Sequence, residues 1–576
     1  MGLEPSATEV DVLVAGAGPS GLMLAIELGR RGIRVLVVDE KASTAVNPQA
    51  NATQARTMEH YRRLGFSEDV RKLGLPVDHP TDIAYFTRLT EREIARFSLP
   101  SSGQSGEVVR KLRGSWSAAE LPHRVSQKYV EVILRREAEA CDTVTVRFLN
   151  RLTQFTDHGD HVEAVVEGVE TGEKQVIRSR FLVGADGGRS PVREALGFVY
   201  EGEGERQREM MGGHMLAVYL RAPDFFDIMP HPKAWMYWTF NRQRRSWLAA
   251  VDGRQDFAFH TQIRPGEIEG EVTAEIAKEM FYQALGKRID VEVLSFGMWT
   301  AGFALVANRL RKGNVFISGD AAHLFTPAGG LGYNTAIEDS VNLAWKLAEA
   351  IRGQAGPTLL DSYEAERRKL AIRNTGFARA LADSMGLYFA PAEIEDDSPA
   401  GEEARRAAGE YFNGHTRAEF NIPGITFGGR YDGSPVIPDD PAPIPLDEPS
   451  SYVPTAKPGG RPPHVWLSDG RSIFDVFGKE WTLLRLSPAA PEADGFLAAA
   501  RVAGLDLEIV TLDDQEIRDI YEADLVLIRP DQIVAWRGES DENAAQVLAF
   551  VNGFAETLPI KAVGDGAGED REAACR

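Results

Sequence analysis

Short, unbroken apolar runs bounded by glycine mark the N-terminal half of the chain. They are Asp11-Val12-Leu13-Val14-Ala15, Arg34-Val35-Leu36-Val37-Val38, Phe181-Leu182-Val183-Gly184-Ala185 and Asn314-Val315-Phe316-Ile317-Ser318. Runs of this length without alternation predict strands buried on both faces, as in a parallel sheet. Between the first two, Gly16-Ala17-Gly18-Pro19-Ser20-Gly21 predicts a tight turn, Leu22 to Arg30 a helix and Gly32 its stop, which makes a βαβ unit. Residues 42–55 are polar and small and predict a loop, with a helix resuming near Thr57. Ser126 to Ala140 predicts another helix, and Ile337, Val341, Ala344, Ala348 and Ile351, three or four apart, predict a strong one behind a glycine-rich loop. Residues 76–104 and 206–285 alternate polar and aromatic positions, as in Trp235-Met236-Tyr237-Trp238-Thr239-Phe240, and predict antiparallel strands. Residues 430–464 are dense in proline, glycine and aspartate and predict a linker or strap. Beyond it, strand-like runs at 481–486, 507–510 and 525–528 and an amphipathic helix at 544–554 predict a separate small α/β unit before a polar tail. There are no internal repeats.

With 576 residues, three or four domains are expected at about 150 residues each. A hydrophobic share of 43% and a charged share of 26% exclude a disordered or fibrous chain. The 64 basic against 85 acidic residues give a net charge of −21, which repels phosphate backbones and anionic lipid and argues against nucleic acid and membrane as partners. Cys141 and Cys575 are the two cysteines, with no CxxC pair, so a disulfide scaffold and a cysteine-rich metal site are excluded and a reducing cytoplasm suits the chain. No apolar run reaches about 18 residues, and the N-terminus lacks the pattern of a signal peptide. A cytosolic enzyme or binding protein is expected.

The candidate chemistry lies in three glycine-bearing stretches. In the first, Gly16 permits the turn, Gly18 lets backbone approach a pyrophosphate and Gly21 lets helix pack on strand, while the helix N-terminus offers free amides. An acid about 20 residues on binds ribose in such units, and Asp39 ends the second strand; Glu40 is the alternative. The second stretch is Val183-Gly184-Ala185-Asp186-Gly187-Gly188-Arg189-Ser190, and the third runs from Gly319-Asp320 and His323 through Pro327 to Gly329-Gly330-Leu331-Gly332. Together, in this order, they resemble the single-component FAD-dependent aromatic hydroxylases. Within that group, the phenol and dichlorophenol hydroxylase branch is similar through NTAIEDSVNLAWKLA, LLDSYEAERR and LIRPDQIVAWRG.

The resemblance implies an α/β fold with a discontinuous Rossmann-like FAD-binding domain (1–75, 105–205, 286–395) interleaved with an antiparallel-sheet substrate domain (76–104, 206–285). A helix, strap and linker (396–464), a thioredoxin-like α/β domain (465–556) and a tail (557–576) follow. It implies FAD held by Gly16, Gly18, Pro19, Ser20, Gly21 and Asp39, by Asp186 and Gly187, and by Gly319 and Asp320 at the ribityl chain. Gly330, Leu331, Gly332, Tyr333 and Asn334 would form the close-approach loop, with Pro327 facing both flavin and substrate. Gln127 and Gln49 match FAD-contacting positions, many relatives having arginine in place of Gln49. Two residues on, where phenol hydroxylases carry aspartate and dichlorophenol hydroxylases histidine near the substrate, this chain has Asn51, which cannot accept a proton at physiological pH.

A single dinucleotide fingerprint means NADPH or NADH visits rather than resides. In the resembled family, reduced FAD captures dioxygen as a 4a-hydroperoxide that attacks an electron-rich ring, and a phenol with pKa about 10 needs help to ionise at neutral pH. His214 and Tyr237 are the candidates for that task, with Tyr219 behind them and His323 structural or flavin-supporting. The expectation is a homodimeric, FAD-dependent, NAD(P)H-consuming hydroxylase of a small phenolic or similar aromatic ring. A tailoring hydroxylase or epoxidase of a polyketide or pyridine-type product is the first alternative, and a non-catalytic flavin-binding protein the second.

Overall fold

The four apolar runs assemble into one sheet. The computed structural model describes residues 8–204, 214–264, 266–267, 271–300 and 302–555. In it β1 (Thr8–Ala15), α1 (Pro19–Gly29) and β2 (Val35–Asp39) form the expected βαβ unit. β1 pairs in parallel with β2 and with Lys174–Gly184, while Val144–Phe148 and Val315–Ile317 extend the sheet in parallel on its two sides. Val12, Leu13, Val14, Leu182 and Val315 are fully buried, which is why these strands carry no polar alternation. α2 (Ala55–Leu64), α3 (Gln127–Glu139) and α4 (Leu331–Arg352) flank this core; α1 packs on α3 and α4.

The aromatic stretches build a second, seven-stranded sheet in the order Glu292–Thr300, His214–Arg221, Asp256–Gln262, Arg245–Ala250, Met236–Phe240, Ile83–Phe86 and Glu93–Phe97. The sheet therefore runs past residue 285, because Glu292–Thr300 pairs along the whole of His214–Arg221. Side chains alternate between its faces. Leu216, Val218, Leu248 and Phe259 share one face, covered by helix Ala274–Leu285 through Phe281. Trp238, Trp247, His260, Ala217 and Gly297 lie in one cross-strand row on the other. That second face looks toward the βαβ unit: Ser295, two residues from Gly297 on the same face, bonds through Oγ to Asn47 Oδ1 at 2.8 Å.

α5 (Ser362–Leu387) and α6 (Pro399–Phe420) follow α4. The stretch 430–464, expected as a linker or strap, is packed down at its C-terminal end: residues 456–464 are buried, and Arg461 forks onto the Glu59 carboxylate of α2 at 2.6 and 3.0 Å. The last unit is a four-stranded mixed sheet in the order Leu507–Thr511, Trp481–Arg485, Leu525–Ile528, Val534–Gly538. Its turn at Arg529 and Asp531 reaches back into the first unit, where Arg529 and Lys346 share the fully buried Glu366. Trp481 packs edge-on against Trp345 of α4 and donates to Glu349 Oε1 at 2.7 Å. No described helix is long and apolar enough to cross a membrane.

Candidate functional site

At the end of β1 the backbone is crowded everywhere but at one place. Gly16 has φ +108°, and a Cβ there would lie 2.1 Å from Ala185 O; a Cβ at Gly21 would lie 1.9 Å from Gly16 O. Gly18, the N-cap of α1, has nothing within 4 Å of the same position. Pro19 opens the helix and no side chain caps it, so its first amides face that opening unclaimed. The Ser20 hydroxyl turns inward, to Ser318 Oγ at 2.7 Å and Ser340 Oγ at 2.9 Å, and stitches α1 to α4. The Asp39 carboxylate braces the turn by accepting the Ala17 and Lys41 amides, each at 2.8 Å, whereas Glu40 is exposed.

The second and third stretches converge on this opening. Asp186 accepts the Val192 amide at 3.1 Å; burial pushes its carboxyl up, against the pull of Ser190 and Val192. Gly187 takes φ +83° beside open space. Tyr200 donates to the backbone carbonyl of Asp320 and lies under the Arg193 guanidinium, 4.0 Å from its ring centroid. Asp320 itself lies deep enough for burial to raise its pKa, partly offset by His323 and Lys41, yet its own surface is open. A group surrounded by protein and still accessible lines an internal cleft.

His323 is fully buried and bonds through Nε2 to Asp339 Oδ2 at 2.6 Å, and the other Asp339 oxygen takes Arg367 Nε at 2.7 Å. Burial works to raise Asp339, but His323 and Arg367 hold it below the ordinary carboxylate range. Asp339 Oδ2 also accepts the Gly319 amide at 3.3 Å, so the loop bearing Asp320 is fixed by a buried ion cluster.

The glycine-rich loop meets the 49–54 loop at Asn334. Gly329 and Gly330 have φ +72° and +62°, conformations that favour glycine. Asn334 Oδ1 accepts from the Gln54 amide (2.8 Å) and Thr57 Oγ1 (2.7 Å), while its Nδ2 donates to Ala52 O (3.0 Å) and Gly330 O (2.6 Å). All four bonds stay within the protein, so Asn334 positions both loops. Leu331 is buried in the first turn of α4, Gly332 packs beside Phe325, Pro327 is exposed, and the Tyr333 hydroxyl bonds to that of Tyr61. Gln127 Nε2 reaches Gln49 Oε1 at 3.2 Å and Glu131 Oε1 at 2.7 Å, which brings Gln127 and Gln49 together. Asn51 Oδ1 is sealed from solvent without a partner.

The proton-handling candidates are scattered. Tyr237 belongs to the helix-covered face of the second sheet: it is 1% exposed, lies against Phe225 and Phe86, and its hydroxyl accepts the Ala234 amide at 2.7 Å. His214 is exposed at the start of its strand, two residues from Leu216 and so on that same side. Tyr219 shares the face turned to the βαβ unit, but its hydroxyl is held between Asp256 Oδ2 (2.8 Å) and Lys128 Nζ (2.5 Å). On that face stands an aromatic row instead. Trp238 and Trp247 are 6.2 Å apart by ring centroid, Trp247 stacks on His260 at 3.8 Å, and His260 meets Trp299 edge-on at 5.9 Å. Burial lowers His260 to about 3, so its imidazole is neutral at physiological pH. Sequence reasoning missed His260, Asp339, Arg367 and Glu131; the pairing of a histidine with aromatic residues on neighbouring strands is visible only once the register is known.

Comparison with known proteins agrees with this geometry. Residues 9–378 match the family described as FAD binding domain, and residues 455–553 match aromatic-ring hydroxylase, C-terminal. Aklavinone 12-hydroxylase RdmE of Streptomyces purpurascens is 31% identical, over 94% of this chain and 98% of its own. Phenol 2-monooxygenase of a Pseudomonas species is 28% identical, over 93% and 91%. The structure of the rebeccamycin biosynthetic enzyme RebC with reduced flavin superimposes with a TM-score of 0.85 at 32% identity, covering 96% of this chain and 100% of that one. With the family match spanning residues 9–378 and a relative 31% identical along nearly the whole chain, the chain belongs to the FAD-dependent aromatic-ring hydroxylases.

Proposed function

We propose that the protein hydroxylates an electron-rich, phenol-type ring held between the glycine-rich loop and the aromatic row of the second sheet. The observation that supports this most is the meeting of the glycine-bearing stretches: Ser20 of α1 bonds Ser318 beside Gly319-Asp320, and Asn334 ties the Gly329–Gly332 loop to Ala52, while Ser295 of the second sheet reaches Asn47. The residues fit FAD. The unclaimed amides at α1 and the open space at Gly18 suit a pyrophosphate, Asp39 lies at the ribose end, and Asp320 suits the ribityl hydroxyls. Asp186 and Gly187 stand beside the same opening, and Gln49 and Gln127 close its outer side. Bound there, FAD supplies electrons drawn from NAD(P)H and the activation of dioxygen.

The chain's own part is to bind, orient and exclude water. The amide end of α4, behind Gly330, favours negative charge in the cleft. Trp238, Trp247 and Trp299 give the floor an apolar surface that keeps a reactive site dry. His260, neutral and with no hydrogen bond at Nε2 among the described residues, is offered as a hydrogen-bond acceptor for the ring hydroxyl, which keeps its proton. Asn51 offers no carboxylate for that step. His214 and Tyr237 have no part in this reading.

A second reading, tailoring of a multi-ring natural product, is favoured by the length of the aromatic row, which crosses from strand Met236–Phe240 to strand Glu292–Thr300. RdmE and RebC, named for aklavinone and rebeccamycin, point the same way. A reducing cytoplasm and a homodimer complete the proposal, the first in keeping with a sequence of two cysteines and no CxxC pair. Stopped-flow reduction of the bound flavin by NADPH and NADH tests it against a panel of phenols, hydroxypyridines and polycyclic phenols. Strong acceleration by one class is expected; a flat response across the panel overturns the hydroxylase reading.

A further inference from the structure

One buried cation near the glycine-rich loop has no counter-ion among the described residues. Arg124 lies in the stretch 121–125, which runs antiparallel to the loop carrying Asn51: Thr53 and His123 exchange backbone hydrogen bonds of 2.9 and 2.8 Å. The residue is 7% exposed. Its guanidinium carbon lies 4.5 Å from the ring centroid of Trp235 and 5.2 Å from that of Phe420, so two aromatic faces hold it. Among the described residues its nitrogens donate no hydrogen bond and meet no carboxylate within 4 Å, and none of them is sealed off by protein.

The other deeply buried arginines of the core are paired. Arg367 has Asp339, Arg461 has Glu59, and Arg529 has Glu366 and Asp531. The acid whose charge acts on Arg124 is committed elsewhere: Glu419 bonds the Gly329 amide at 2.9 Å and His415 Nε2 at 3.0 Å. Burial pulls Arg124 down to about 10, with Glu419 only partly opposing it. A desolvated guanidinium of this kind is a poor structural element and a good receptor, because a ligand that brings the missing anion removes the penalty.

Its position says which ligand. Glu419 ties this corner to Gly329 of the glycine-rich loop, and Phe420 ends α6, whose Phe412 stacks on Tyr85, the cross-strand neighbour of Trp238. We propose that Arg124 anchors the substrate by a carboxylate, and that the compound taken up is an aromatic acid whose ring extends from this corner over the aromatic row. This rests on the reading of the cleft as the aromatic-substrate site. The planar fork of donors matches two oxygens in one plane better than a lone phenolate oxygen. A single cation beside Glu419 suits a monoanion and not a phosphate.

The test uses FAD-loaded enzyme and matched pairs: a hydroxybenzoate, a hydroxynaphthoate and a hydroxyanthracene carboxylate, each against its carboxamide. Binding is read from the perturbed flavin spectrum and flavin reduction from stopped flow. At least one acid should bind the native enzyme about tenfold or more tightly than its amide, and Arg124→Met should bring that ratio to about one with the amide's affinity kept. Arg124→Lys should restore part of the preference, and Arg124→Gln gives the same reading if the methionine variant loses FAD. No acid binding to the native enzyme, equal binding of acid and amide, or a preference that survives Arg124→Met overturns the anchor. Arg124-dependent acid binding with no acceleration of flavin reduction would sink the hydroxylase reading and leave the anchor standing.

Discussion

Changing Asn334 to aspartate preserves the side chain's outline and reverses half of its hydrogen bonds. The two acceptor bonds, from the Gln54 amide and Thr57 Oγ1, survive; the two donor bonds, to Ala52 O and Gly330 O, are lost, and one carboxylate oxygen faces two carbonyl oxygens. Each lost bond is worth about 1 kcal/mol, and the unpaired buried oxygens bring the total to about 3 kcal/mol. That is about a 150-fold shift in the opening equilibrium of the loop. The sign with pH follows from linkage. The buried carboxyl is easier to keep protonated in the folded state, so its folded pKa is raised. The variant's deficit is therefore smallest below about pH 4 and grows as pH rises toward the folded value. Hydrogen exchange of the peptide covering residues 50–57 reads the opening directly, and FAD content reads its consequence. For Asn334→Asp at pH 7 exchange should quicken by about two orders of magnitude, with part of the protection regained at pH 4. Unchanged exchange at pH 7 would refute the idea that Asn334 holds the two loops together.

Three further variants probe other parts of the argument. Gly18→Ala meets open space and an ordinary backbone, so it should fold normally and yet lose FAD, whereas Gly21→Ala, 1.9 Å from Gly16 O, should fail to fold; absorbance per protein and circular dichroism separate the two, and normal FAD uptake by Gly18→Ala would be fatal to the pyrophosphate assignment. Tyr237→Phe leaves the buried Ala234 amide unpaired and should cost about 1–2 kcal/mol in unfolding without slowing substrate-stimulated flavin reduction, so a slowed reduction would return Tyr237 to the site. Burial pushes Glu349 up to about 8 from 4.5, so the folded chain keeps a proton that the unfolded chain releases, and stability falls as pH rises between those values. Glu349→Gln should raise the melting temperature more at pH 8 than at pH 5, and equal shifts would count against a neutral carboxyl.

The sequence made the parallel sheet readable because four apolar runs needed no partner information: burial on both faces erases alternation. Gly16 and Gly21 were equally legible, since each answers a steric demand that few residues meet. The substrate face was not. Tyr237 and Trp238 are neighbours in sequence and point to opposite sides, and which side meets the flavin depends on strands 292–300 and 214–221, far along the chain. The side chains of Asn334 and Ser20 bond to protein, to Gln54, Thr57, Ala52 and Gly330 and to Ser318 and Ser340, partners that the glycine motifs do not reveal. Arg124 gives no signal in sequence at all: an arginine reads as a surface residue until its partners are found to be missing.

α4 touches the glycine-rich loop at one end and, through Trp345 and Glu349, the core around Trp481 at the other. During synthesis the nascent chain must therefore travel well past residue 481 before this helix has its last neighbours. A chain cut short upstream of that point leaves an apolar face of α4, around Trp345, on show, as chaperone clients do.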